Sequence, residues 1–322
     1  MPNLARRAVL ASLMAAATFP LYAQQGSYPQ RAITIVVPFP AGGPTDGSAR
    51  AYAKVLADEL GQPVVIDNRA GAAGTVGSAA VARATPDGYT LLWGGTSTLA
   101  VAPGLYKNLT YDAQSFVPVG MALRGPLMIA ASNASGLRTI ADIAQRSKNS
   151  TLTVGSAGTG SIGHLATELF ADVGGIKLTH IPYRGGAPAF TDAIGGQIDL
   201  VFDTAAALQP FVKSGRLQAL AVTGVQAYGP LPEVPLMSQA LGKPYEGYSW
   251  FGLVAPKDVP APALQKLRTA MAKAAKSEDI RRMISEQGVE PGVPTPQEFG
   301  KVIASDFAKW SKVIQQAKVT VE

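Results

Sequence analysis

The chain has no cysteine, so neither a disulfide framework nor a thiolate metal site or nucleophile is available to it. It has two histidines in 322 residues, His164 and His180, too few for a histidine-built zinc centre. Charged residues make up 16%, against about 25% in an average globular protein. Past the N-terminus there is no uncharged apolar run of about 18 residues, which excludes a bundle of membrane-spanning helices. What is present is apolar residues, 47% of the chain, together with 34 glycines. That is ample for sizeable cores, and disorder is excluded. At roughly 150 residues per domain, the length points to about two domains.

Residues 1–23 read as an export leader. Arg6 and Arg7 form a positive start, Ala8 to Phe19 is apolar, and Leu21-Tyr22-Ala23 ends in a small residue suited to cleavage. The paired arginines leave general and twin-arginine export both open. Cleavage near Ala23 would place the protein in the periplasm. Losing the two arginines lowers the formal charge from +6 to +4. The remaining basic residues do not cluster with aromatics. On the C-terminal helices Lys266, Arg268, Lys273, Arg281 and Arg282 alternate with Glu278, Asp279 and Glu286, a solvated face and no nucleic-acid stripe.

The mature chain repeats a unit of strand, Gly-rich turn and helix. Ile33–Val37 is a β-branched run suited to a strand buried on both faces. A Pro- and Gly-rich loop follows, then a helix from Ala49 to Leu60 stopped by Gly61. Strands are expected at 64–66, 90–93, 127–131, 152–154, 178–181, 200–202, 217–222 and 251–255. Helices are expected between them, and three more at 263–276, 278–286 and 297–316. Residues 224–248 read as a long excursion. Alternation of this kind implies parallel sheets, with ligands at the carboxyl ends of the strands.

Two loops could hold an anion. Ala41-Gly42-Gly43-Pro44-Thr45-Asp46 combines consecutive glycines with an approaching helix N-terminus. A plain strand-to-helix turn with Asp46 as N-cap fits that stretch as well. Gly155 to His164 has the same composition, and Gly158, Gly160 and Gly163 match G-x-G-x-x-G. A dinucleotide is disfavoured because the next strand, ending near Ile181, leads into Pro182-Tyr183-Arg184 with no acid for a ribose. Thr159-Gly160-Ser161-Ile162-Gly163 approaches the G-x-S-x-G of serine hydrolases. Its triad would have to close on His180 with Glu168 or Asp172 from the helix that Ser161 opens, an unfavourable layout. Arg184, at a strand end, could face a ligand or solvent.

Taken in order, these segments resemble a known family. They are Pro38-Phe39-Pro40-Ala41-Gly42-Gly43-Pro44-Thr45-Asp46, Asp67-Asn68-Arg69-Ala70-Gly71-Ala72-Ala73-Gly74, Gly155 to Ser161 with His164-Leu165-Ala166, Pro182-Tyr183-Arg184-Gly185-Gly186, Gly195-Gly196-Gln197-Ile198-Asp199 and Trp250-Phe251-Gly252-Leu253. The chain resembles the TctC or Bug family, the substrate-binding proteins of tripartite tricarboxylate transporters. The resemblance implies an α/β, two-lobed periplasmic binding protein of type II, closing on its ligand like a Venus flytrap. Lobe one would be residues 24–124 plus 250–322, and lobe two 125–249. It implies a small organic acid as ligand, membrane permease subunits as partners, a monomer, and neither cofactor nor catalysis. A ligand-sensing partner of a signalling system is the alternative, and a hydrolase using Ser161 a more remote one. Carried over by position, the ligand-binding residues would be Ala41, Gly42, Thr45, Asp46, Thr96 and Ser97 in lobe one. In lobe two they would be Ser156, Thr159, Gly160, Ser161 and Asp203.

Overall fold

The computed structural model describes residues 28–321, so the expected leader at 1–23 lies outside the described residues. Strand β1 (Ile33–Val37) lies between β2 (Val64–Asn68) and β3 (Thr90–Gly95), both parallel to it. A second parallel set joins β5 (Leu152–Ser156) to β6 (Leu178–Pro182) and β7 (Leu200–Thr204). Between the sets run β4 (Phe116–Ser132) and β9 (Tyr248–Pro256), antiparallel to each other. The order is β2-β1-β3-β9-β4-β7-β5-β6. Strand β8 (Leu217–Val222) and the two-residue β10 (Glu290–Pro291) both pair with β4.

The expectation of parallel sheets holds for the two outer sets and not for the strands between them. Strand β9 meets β3 antiparallel, and β4 meets β7 and β8 antiparallel. Strand β4 is also far longer than the expected 127–131. At about 3.3 Å per residue its 17 residues span roughly 55 Å. Pro118, Gly120, Gly125 and Pro126 all lie within it, and the ladder with β9 shifts register between Pro118 and Gly120 and between Met121 and Leu123.

The first helix, α1 (Pro44–Leu60), begins five residues before the expected Ala49, with Gly43 as its N-cap. Proline is favoured in the first turn, where its missing N–H has no helical partner to lose. The connections that follow carry α2 (Thr75–Ala82), a wide helical turn at Ser97–Val101, α3 (Ala102–Leu105) and α4 (Ile140–Arg146). Then come α5 (Ile162–Gly174), α6 (Gly186–Ile194), α7 (Ala205–Lys213) and α8 (Met237–Leu241). The tail is α9 (Ala261–Ala274), α10 (Glu278–Gln287) and α11 (Pro296–Gln316).

Helix α9 packs on α1 and β4, so the tail returns to the first parallel set, while α11 touches the Ser97–Val101 turn, α3, β4 and also α5. Trp93, Trp250 and Trp310 are fully buried along this seam. The 224–248 stretch is no free excursion. Tyr228, Leu231, Val234, Met237 and Tyr245 are buried, so its widely spaced apolar residues cover β8 before the chain enters β9.

Helix and strand approach closely at Gly163, in the first turn of α5. A Cβ there would overlap the Phe202 carbonyl oxygen. Gly163→Ala is therefore expected to push α5 off β7 and cost at least about 2 kcal/mol, as overpacking does. Chemical denaturation measures it, and an unchanged midpoint would show that α5 is free to shift.

Candidate functional site

The carboxyl ends of β1, β3, β5, β6 and β7 open onto one cleft of about 780 Å³, with residues from both strand sets on its walls. Four helices begin there. Their first residues, Pro44 and Thr45 of α1, Ile162 and Gly163 of α5, Gly186 and Ala187 of α6, and Ala206 of α7, all line it. Ser161 caps α5 by accepting the His164 N–H at 3.3 Å. The starts of α1, α6 and α7 have no side-chain cap. Open helix N-termini carry partial positive charge worth about 0.3–1 kcal/mol each to an anion, and up to about 2 kcal/mol when partly buried.

Of the candidate residues, Ala41, Gly42, Thr45, Ser97, Ser161 and Asp203 line the cleft. Asp46, Thr96, Ser156, Thr159 and Gly160 are not on its walls, and each has a supporting contact behind them. Asp46 is buried at the third position of α1, so it is not the N-cap. Its Oδ2 accepts the Gly42 N–H and Arg50 Nε, both at 2.9 Å, and its Oδ1 accepts Asn68 Nδ2 at 3.0 Å. Asn68 Nδ2 also reaches the Phe39 carbonyl at 3.1 Å. Burial pushes the Asp46 carboxyl up, but the donors from Arg50, Gly42 and Asn68 outweigh this and hold it below the usual range. The Gly42 amide is thus spent on shaping its own loop. Gly42 itself has a φ of +85°, a conformation that glycine adopts freely.

The second loop has a comparable backing. The Gly160 N–H donates to His164 Nδ1 at 3.1 Å, and the Thr159 carbonyl accepts the Tyr106 hydroxyl at 3.3 Å. Thr96 Oγ1 accepts the Trp250 N–H at 3.0 Å, tying β3 to β9. Ser161 Oγ donates to Ser156 Oγ at 3.1 Å, and Ser156 Oγ is 2.6 Å from His180 Nε2. The two histidine rings stack at 3.8 Å. Burial, then the neighbouring His164, depress the His180 pKa to about 3, so its ring is neutral. Among the described residues no histidine ring bonds Ser161, so the Ser161–His180 pair that a hydrolase would need is not formed. Ser97 Oγ accepts the Ile162 N–H at 3.0 Å and links the first strand set to α5.

Several lining residues carried no such signal. Phe190 and Phe211 look like core residues of amphipathic helices. Glu286 and Gln287 end a tail helix that reads as solvated, and only the return of the tail brings them to the cleft. Arg184 lines it as well, exposed and, among the described residues, without an ion pair. Among the described residues no group of three or more His, Asp or Glu is placed to hold a metal, and no helix is long and apolar enough to cross a membrane.

A family model described as tripartite tricarboxylate transporter family receptor, TctC, matches residues 48–319. The chain belongs to this family. This receptor is 34% identical to the protein BugT of Bordetella pertussis over 96% of each chain. It is 38% identical to a protein from the TAR-I ttuE-ttuC' intergenic region of Agrobacterium vitis, over 96% of this chain and 91% of that one. Two solved structures from Rhodopseudomonas palustris are similar to it. Rpa4515, solved with adipate, is 33% identical with a TM-score of 0.87, over 91% of this chain and 99% of that one. MatC, solved with bound malate, is 30% identical with a TM-score of 0.84, over 89% and 100%. The receptor is thus a two-lobed α/β periplasmic solute-binding protein, and the family and its structural neighbours are binders of solutes.

Asp203 is the anomaly in this receptor's cleft. Burial raises its pKa from 3.8 to about 6, against the Thr204 N–H and hydroxyl, which favour the charged form. A carboxyl raised in the fold destabilises the folded state once it ionises. That penalty is absent below about pH 4, grows through pH 6 and is complete above it. At roughly 1.4 kcal/mol per pH unit its ceiling is on the order of 3 kcal/mol. Asp203→Asn is therefore expected to melt higher than the parent at pH 7, with the difference shrinking toward pH 4. Thermal melts of both proteins at pH 4, 5 and 7 test this, and a pH-independent difference would refute it.

Proposed function

We propose that the receptor captures a small organic carboxylate in this cleft and passes it to the permease subunits of a tripartite transporter. The observation that carries the reading is the convergence of four helix N-termini, three without a side-chain cap, on a cleft with one lining cation. Such dipoles bind an anion without a fixed countercharge, so release stays easy. The similarity to proteins solved with adipate and with malate supports the same class. In this reading residues 24–124 with 250–322 form one lobe and 125–249 the other, joined by β4 and β9. A ligand touching both lobes favours the closed form by its extra contacts there. Ala41, Gly42, Thr45, Ser97, Ser161 and Asp203 would meet the ligand. Asp46, Thr96, Ser156, Thr159 and Gly160 would hold those walls in place. Residues 1–23 would direct export and be removed.

A thermal-shift screen of organic acids tests the class. At a hundredfold excess over Kd, binding adds about 2.7 kcal/mol to stability. If neutral or cationic solutes shift the melt and no acid does, the carboxylate reading fails. For the first loop, Asp46→Ala is expected to weaken a bound acid at least tenfold by isothermal titration, without removing a lining residue. The released Gly42 loop would then have to be ordered by the ligand. Unchanged affinity would remove that loop from the site.

A further inference from the structure

The cleft has a second pole of opposite character. Asp203 ends β7 on the cleft wall, and its Oδ1 accepts the Thr204 N–H at 2.7 Å. The Thr204 hydroxyl also faces this carboxyl, but among the described residues no other hydrogen bond within 3.5 Å reaches it and no ion pair includes it. Oδ2 is left open. It lies 3.0 Å from where a Cβ of Gly186 would be, so the absent side chain leaves Oδ2 uncovered at the start of α6. Beside it, Thr204 Oγ1 is buried without a hydrogen-bond partner. Phe190 packs over Gly186, and its ring is 5.6 Å from that of Phe211. The receptor thus places its own carboxylate at the N-termini of α6 and α7, the position an incoming anion would otherwise take. A ligand carboxylate is repelled from there and left to the starts of α1 and α5. An open, unpaired carboxylate oxygen in an apolar recess needs a donor, and an ammonium or hydroxyl group supplies one.

We propose that Asp203 Oδ2 accepts a hydrogen bond from an amino or hydroxyl group of the captured acid, so that the receptor selects amino and hydroxy acids over unsubstituted carboxylates. This rests on the carboxylate reading above and specifies the class within it.

The test is isothermal titration of the full receptor against matched sets. Succinate, malate and aspartate form one set, adipate and 2-aminoadipate a second, and 3-phenylpropionate, phenyllactate and phenylalanine a third. In whichever set binds, affinity should rise from the plain acid through the hydroxy to the amino acid, by at least tenfold overall. Asp203→Asn should remove most of that preference while leaving the plain acid as tight or tighter. Asp203→Glu, checked by its melt like the Asn variant, should retain a preference for donors if the charge is what matters. Equal binding of plain and donor-bearing acids, or equal loss for both in Asp203→Asn, would overturn the proposal and leave the carboxylate reading standing. If no acid in any set binds while other solutes do, the carboxylate reading itself falls, and the proposal with it.

Discussion

The antiparallel pairing of β4 with β9 is the constraint on which the rest of the receptor depends. Its ladder runs from Phe116 opposite Pro256 to Pro126 opposite Tyr248, and β4 then continues between β7 and β8. One strand is therefore shared by both halves of the sheet. The parallel strands on either side end facing one another, so their loops form the walls of a common cleft. Two register shifts in the ladder let Pro118 and the nearby glycines lie in a strand they would otherwise break. Buried tryptophans pin the crossing. Trp250 gives its N–H to Thr96 Oγ1 and its ring Nε1 to Asp306 Oδ2 at 2.6 Å.

On that frame, much of the cleft wall is built from backbone-rich loops and helix starts. The low charge content has a counterpart in a cleft lined, among the described residues, by four helix starts and a single cation, Arg184. Such a wall is useful only if it is rigid. Asp46 with Asn68 on one side, and the Ser156, His164 and His180 cluster on the other, supply rigidity from behind the surface. The neutral His180 ring, stacked on His164, suits that role, because protonating it would place a charge in a buried site under the second loop. Asp203 is the opposite kind of residue, a charge carried in the cleft at a cost to stability. Proteins retain such costs where a site needs them.

Much of the fold was legible in the sequence because its signals are local. The β-branched run at Ile33–Val37 and Gly61 as a stop each act within a few residues. The first loop, expected to hold an anion, lines the cleft, but the bonding within it differs from a set of free amides. Gly42 looked like an amide donor to a ligand, whereas its N–H goes to Asp46. That exchange depends on α1 starting at Pro44, which the Pro- and Gly-rich run concealed. Asn68 stood in a family motif but with no sign of its role, because its partners Asp46 and Phe39 become its neighbours only when β1 and β2 pair.

The sequence by itself determined the α/β alternation, the family, and the loops that would meet at the strand ends. Those features follow from hydrophobic period, turn residues and an ordered set of motifs along the chain. Only the tertiary structure decided which polar groups face the cleft and which brace it. Thr45 and Asp46 are neighbours in one helical turn, yet one lines the wall and the other is buried behind it. Ser156 and Ser161 divide in the same way. Orientation about a helix axis and the pairing of distant strands set that division, and neither is written in any local stretch of residues.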